Sequence, residues 1–365
     1  MAMSDDGGRR REDPSEWSPA AARGRYVDHR AADATDKSRE GWWYRLEQFV
    51  QWCDGFDIGA VGDLRPLDIT EYHDHRADAV APVTLEGEMT TLRSFLEYLE
   101  SLNAVDEGLS DAVSVPELSA DQRSSDQKLA TNEAMAMLQY FRNTTAARAC
   151  REHALLELLW FTGARASGLR ALDLRDVFLD EQFVWFKHRP DTGTEIKNEA
   201  DGERPVGVPP TVADVLAEYV DDNRVDIVDE YGRASLFTTQ EGRLSEDSLR
   251  KWSYQATTPC RHSSCPHGKK RAGCAWTSYA EASKCPSTRS PHRVRTGSIT
   301  YQLNIGIPPE VVANRVNASV QTIRDHYDKA DKQARRQRQR RRMEADRRDY
   351  VQQMGLNHDT DTEEI

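Results

Sequence analysis

A polar stretch, DEGLSDAVSVPELSADQRSSDQ at residues 106–127, divides this chain into two apolar-patterned blocks. Rich in Ser, Asp and Glu, it has too little apolar surface to join a core on either side, which marks it as a linker. At 365 residues the chain is long enough for two domains with separate cores. In the first block, residues 38–105, Trp42, Leu46, Phe49, Val50 and Cys53 recur at helical spacing. Asp68 reads as an N-cap for ITEYHDHRADA. After Pro82, the residues Leu85, Met89, Leu92, Phe95, Leu96, Leu99 and Leu102 line one face of a third helix. The block therefore reads as a small all-α domain. Residues 1–37 are polar, Gly/Pro-punctuated and without apolar periodicity, and read as a disordered tail.

The second block, residues 128–330, mixes periods. Thr131 reads as the cap of a helix carrying Met135, Leu138 and Phe141, and HALLELLWF is apolar enough to be a buried helix. That helix runs into Thr162-Gly163, with Arg165 directly after. The glycine permits a tight turn that lets an arginine project from a helix end. Between Val177 and Pro209, short apolar runs (Phe183 to Phe186, then Val206 to Val208) are separated by turn residues, which is a hairpin pattern. Lys197 and Lys187 both lie in that segment, Lys197 seven positions ahead of Arg204.

Nearer the C-terminus the chain reads SPHRVRTGSITYQLN and then IGIPPEVVANRVNASVQTIRDHYDKAD, placing His292, Arg295 and Tyr327 in order. A phenol, with a pKa of about 10, becomes a nucleophile only where fixed cations and a base favour its anion. Arg165 and Arg295 supply planar, always-charged donor forks that can hold both non-bridging oxygens of one phosphate, which lysine cannot imitate. Taken singly, each residue has an ordinary structural reading: Tyr327 as the core position of an amphipathic helix, His292 as a helix-start hydrogen-bonding residue. Taken together and in this order, they point to phosphoryl transfer, with a DNA phosphodiester as the substrate.

T-G-x-R, H-x-x-R and a downstream Tyr in this order resemble the tyrosine recombinases, or phage integrases, especially those of halophilic archaea, over residues 38–340. The resemblance implies a multidomain, mostly α fold with a small antiparallel sheet. An N-terminal all-α core-binding (SAM-like) domain would clamp DNA, and an α+β catalytic domain would follow. It assigns Tyr327 as nucleophile, Arg165, His292 and Arg295 as the phosphate and proton-transfer residues, and Lys197 on the hairpin as the general acid, with Lys187 the second candidate. It further implies a double-stranded DNA partner, a homotetramer on two duplexes, and chemistry that requires no cofactor. The chain departs from the family pattern in two places. An acidic residue is usual three positions after the first arginine, where this chain has Gly168, and a Gly-His or Gly-Trp pair is usual where it has Asn317-Ala318.

Charge at first opposes DNA binding, since 49 Lys plus Arg stand against 61 Asp plus Glu, a formal net charge of −12. Only 10 of the 49 cations are Lys, and acid excess with scarce lysine suits molar salt, where the Debye length is about 3 Å and global charge scarcely steers a ligand. Binding then falls to local clusters: KKR at 269–271, and Lys332, Arg335, Arg336, Arg338, Arg340, Arg341, Arg342, Arg347 and Arg348 after the Tyr. Residues 331–365 read as a basic helix with an acidic tail, suited to DNA or to a neighbouring protomer.

Four of the six cysteines, Cys260, Cys265, Cys274 and Cys285, fall in a polar insertion at 258–287, with His262 and His267 among them. In a reducing compartment disulfides are disfavoured, and four thiolates, or three with a histidine, suit a tetrahedral structural zinc site. A metal there would order the insertion and fix the box that begins at His292. No segment is apolar over a membrane-spanning length and no signal-peptide core is present, so the expectation is a cytoplasmic protein with no membrane partner. Two other activities fit the same residues, a non-catalytic DNA-binding descendant of a recombinase and a type IB topoisomerase.

Overall fold

A computed structural model describes residues 13–119 and 127–326, with Arg340 and Met343 beyond them. The chain forms two compact units, residues 1–125 and 126–365. Both are mostly helical among the described residues, and the second adds small antiparallel sheets.

The first unit is built on four helices, α1 (Pro19–His29), α2 (Asp36–Gly55), α3 (Pro66–Ala79) and α4 (Pro82–Ser101). Three of them open on a proline, whose fixed φ suits the first helical turn and whose missing N–H would have had no intrahelical partner. Ser18 caps α1 by accepting from Ala21 N, and Thr35 caps α2 by accepting from Ser38 N. Asp68 lies inside α3 rather than before it, and its carboxylate accepts from Arg65 N at 2.7 Å. The face expected on α4 is buried from Leu85 through Leu99 and packs with Phe49, Trp52 and Tyr72. Fully burying one such side chain stabilises the fold by about 1.5–3 kcal/mol. Arg76 and Glu88 close α3 onto α4 with two 2.8 Å bonds.

Two boundaries differ from the sequence reading. The tail proposed for residues 1–37 contains a short 3-10 turn at Pro14–Glu16 and all of α1, and α1 buries Ala22, Tyr26 and Val27 in the unit's core. Its apolar residues are too few to show a period, yet Tyr26 alone packs edge-on against Phe95 at 5.5 Å. Residues 1–12 lie outside the described part. The linker is likewise shorter than 106–127. Leu109 and Val113 are buried in the first unit, and Ser110 N donates to Glu100 Oε1 at 2.6 Å. Two apolar residues among many polar ones suffice here because they join the core that α4 lines.

In the second unit, α5 (Thr131–Asn143) packs on α6 (Arg151–Thr162), which is buried along most of its length. Glu157 of α6 is fully buried and fully paired, with Arg142 at 2.6 and 2.8 Å and His153 at 3.1 Å. After α7 (Ala166–Ala171) comes a three-stranded antiparallel sheet, β1 (Val177–Phe178), β2 (Phe183–Phe186) and β3 (Arg204–Gly207), in that order. Val184 pairs with Val206, and Val184 and Phe186 enter the core on alternate positions of β2. Next come α8 (Pro210–Glu218), the small hairpin β4 (Thr238–Thr239) with β5 (Gly242–Arg243), and α9 (Glu246–Ala256). The last described helices are α10 (Pro291–Asn304), α11 (Pro309–Val316) and α12 (Val320–His326). They share a satellite core of Ile299, Leu303, Val312, Val316 and Ile323.

Candidate active site

The site begins where α6 ends. Gly163 adopts the left-handed conformation (φ 61°), and a Cβ there would lie 2.9 Å from Val316 Cγ1 and 3.1 Å from Ser298 Oγ. Glycine therefore satisfies two demands at once, a helix-ending turn and close approach of α10 and α11. Arg165 follows as the N-cap residue of α7.

Three arginines converge on the C-terminal end of α11. Arg204 Nε donates to Arg315 O at 2.8 Å, Arg295 Nη1 to Val316 O at 2.7 Å, and Arg165 Nη1 to Asn317 O at 2.5 Å. Carbonyls in the last turn of a helix have no intrahelical partners and form the negative end of its dipole, so they suit cations. Arg295, only 3% exposed, also donates to Gly163 O at 2.6 Å, which ties the two arginine-bearing turns together. Burial, and then the like charges of Arg295 and Arg165, push the Arg204 guanidinium well below its ordinary range. A mutually repelling cation cluster of this kind is set up for an anion carrying more charge than a carbonyl.

Lys197 is exposed on the excursion between β2 and β3, and it lines an open cleft with Arg165, Ser167, Arg204 and Asn317. Lys187 is committed elsewhere: its ammonium lies 3.5 Å from Glu203 Oε2 and 4.0 Å from the centre of the Trp185 ring. His292 stands in the first turn of α10 with its surface exposed. The protein around it, then the charges of Arg295, Arg165 and Arg293, hold its imidazole below the ordinary value of 6.5. Tyr327 lies outside the described residues, immediately after α12, as does the basic run from Lys332 to Arg348 except for Arg340. The structure thus gathers Arg165, Arg295 and Lys197, sets His292 within the electrostatic reach of the two arginines, and gives no position for Tyr327.

Both departures from the family pattern have local consequences. At Gly168 a Cβ would lie 3.3 Å from Phe186 Cδ1, so an acidic side chain there would have to displace that ring. Phe186 in turn carries Arg204 above its face, 4.5 Å from the ring centre. Ala318 packs against the satellite core and offers no side-chain donor. Sequence reasoning noted Arg204 and Asn317 only as markers of position. Their roles depend on hydrogen bonds to residues more than a hundred positions away, for which no local pattern exists.

The zinc reading of the cysteine cluster is not supported. Among the described residues no three His, Cys, Asp or Glu side chains are grouped to hold a metal ion. Cys260, Cys265 and Cys274 are half-buried and Cys285 is buried, all as free thiols. The stem of the insertion closes by other means: Arg289 N donates to Thr257 Oγ1 at 2.8 Å, Ser253 Oγ to Arg289 O at 2.9 Å, and Thr288 Oγ1 to Ala282 O at 2.7 Å. Gln255 Nε2 holds Ser278 O at 2.9 Å, and Lys269 sits 3.4 Å from the centre of the Trp276 ring. Ordering the approach to His292 therefore falls to threonine and serine hydroxyls.

No protein-family model matches the chain. A tyrosine recombinase XerC from Herpetosiphon aurantiacus is 24% identical over 199 residues, covering 54% of this chain and 61% of the relative, so the chain spans less than two thirds of that protein's length. Among solved structures, the Tn1549 transposon integrase in complex with a circular intermediate DNA superposes with a TM-score of 0.62 at 14% identity, over 89% of this chain and 99% of that one. A lambda integrase dimer bound to a COC′ core site gives 0.57 at 11% identity, over 88% and 77%. The architecture is thus the two-domain integrase fold. In fold, in motif order and in its XerC relative, the chain is similar to the tyrosine recombinases and integrases.

Proposed function

We propose that this protein is a site-specific DNA recombinase that cuts and rejoins strands through a 3′-phosphotyrosyl intermediate. The observation that supports it most directly is the open cleft lined by Arg165, Arg204 and Lys197, with the buried Arg295 hydrogen-bonded to the same helix end. In this reading the Tyr327 oxygen attacks the scissile phosphorus as the phosphorus–O5′ bond breaks. Arg165 and Arg295 exchange carbonyl partners for the non-bridging oxygens and neutralise the pentacoordinate transition state. His292, held neutral by its surroundings, takes the phenol proton, and Lys197 gives a proton to the leaving 5′-oxygen. The broken phosphodiester is conserved as a phosphotyrosyl ester, so the chemistry needs no metal or nucleotide.

Double-stranded DNA is the partner, and four copies on two duplexes would perform exchange, in the cytoplasm of a salt-adapted cell. One observation favours a second reading. Ala318 brings no phosphate donor and Gly168 no acid, as in a DNA-binding protein that has lost catalysis. Joining assays separate the possibilities: two plasmids carrying DNA of the source organism are incubated with the protein in molar KCl and the products sequenced. The proposal expects cointegrates whose junctions share one sequence. Relaxation with scattered breaks would instead indicate a topoisomerase, and specific binding without strand breakage would indicate the non-catalytic descendant.

A further inference from the structure

The excursion that carries Lys197 makes no regular pairing near its tip, because Asn198 and Glu199 both have positive φ (66° and 50°) and Glu199–Gly202 is a short 3-10 turn. A loop of this kind needs an external anchor to fix a side chain over a cleft. The anchor is Asn317, the residue standing where the family pattern has glycine. Asn317 keeps the left-handed conformation (φ 53°, ψ 62°) that ends α11, which Asn tolerates better than most residues. Its side chain is then used twice: Nδ2 donates to Lys197 O at 2.6 Å, and Oδ1 accepts from Asn198 Nδ2 at 2.7 Å. The backbone of the same residue accepts from Arg165 at 2.5 Å. One residue thus connects the lysine loop to the arginine cluster. Gly202 is fitted around the joint, since a Cβ there would overlap Lys197 O and come within 2.6 Å of Asn317 Nδ2.

We infer that Asn317 is a positioning residue that holds Lys197 against the leaving-group side of the phosphate through this two-bond clamp. The inference rests on the reading of Lys197 as the general acid, and it gives the Gly-to-Asn departure a role that glycine cannot fill. Asn317 itself touches neither phosphate nor leaving oxygen. Its contribution is confined to the step in which the ammonium proton moves to O5′ as the phosphorus–O5′ bond breaks.

That confinement makes the role testable. The Asn317→Gly variant keeps the left-handed turn and the Arg165 bond and loses only the side-chain clamp. Duplexes carrying the cleavage sequence recovered from wild-type protein are made with either O5′ or a bridging 5′-sulfur at the scissile phosphate. A thiol with a pKa of about 8.5 departs as thiolate with little need of a proton donor. On the oxygen-linked duplex Asn317→Gly should cleave at least about tenfold more slowly than wild type, in line with the sensitivity of catalysis to misplacement of a catalytic group. On the sulfur-linked duplex the two should agree within about threefold, and Lys197→Ala should show the same pattern. Asn198→Gly, which removes only the outer bond, should fall between. Equal loss on both duplexes would make Asn317 a merely structural residue, and no loss on either would remove the clamp; both overturn the inference while leaving the recombinase reading in place. Rescue of Asn317→Gly without rescue of Lys197→Ala would show that it acts through another group. Failure to recover any cleaved site from wild-type protein removes the underlying reading, and the inference with it.

Discussion

At the scale of single residues, the state of His292 is the most accessible consequence of the geometry. Its imidazole is held below 6.5 by surrounding protein and by the guanidiniums of Arg295, Arg165 and Arg293. As pH falls through 6.5, an unfolded chain takes up this proton before the folded one does. Stability from this group is therefore complete above that value and declines below it, until the folded imidazole also charges. If His292 is the base of the proposed chemistry, the same sign applies to cleavage, because a base must be neutral to accept a proton. The acidic limb of kcat/KM for DNA cleavage, which reports the free enzyme, is expected below pH 6.5 and is expected to disappear in the residual activity of His292→Asn. A limb at or above pH 7 in the wild type would show that the guanidiniums do not control this group. Gly163 illustrates a different single-residue effect, since one missing Cβ permits both the left-handed turn before Arg165 and the approach of Val316.

At the scale of elements, the end of α11 explains why some of the site was legible in the sequence and some was not. Thr162-Gly163 and the spacing from His292 to Arg295 are local patterns, because a left-handed helix end and one helical turn are each set by adjacent residues. The hairpin was visible in its alternation, and Val184 and Phe186 are indeed its buried positions. The clamp by Asn317 and the contact from Arg204 to Arg315 O join distant parts of the chain, so no window of sequence contains them. Chemical plausibility misled in the cysteine insertion, where a suitable set of thiols did not imply convergence. Its stem is instead closed by Thr257, Ser253 and Thr288. Changing Cys260, Cys265 and Cys274 together to Ser is expected to move Tm by less than about 2 °C, within the shift that a 1 kcal/mol change gives a domain of this size. EDTA is expected to be without effect. A drop of more than about 5 °C from either treatment would restore a metal to the insertion.

At the scale of the molecule, the helical period of α4 and the buried character of α6 were enough to divide the chain into a helical unit and a mixed one. The boundaries were less legible, because α1 and the segment around Leu109 are anchored by a few apolar side chains in polar surroundings. The net charge of −12 belongs to this scale too, and it makes the arginine cluster the more telling feature. Excess acid over the whole surface matters little in molar salt, whereas three guanidiniums partly shielded from solvent are screened far less. In the proposed chemistry, Tyr327 becomes covalently joined to DNA at a phosphate held by Arg165 and Arg295. The direct measurement is to incubate wild type and Tyr327→Phe with DNA of the source organism in molar KCl, quench with SDS, and map the attached peptide. A DNA-linked peptide containing Tyr327 is expected in the wild type and none in Tyr327→Phe. Specific binding without an adduct, even on nicked duplexes that trap the intermediate, would contradict it.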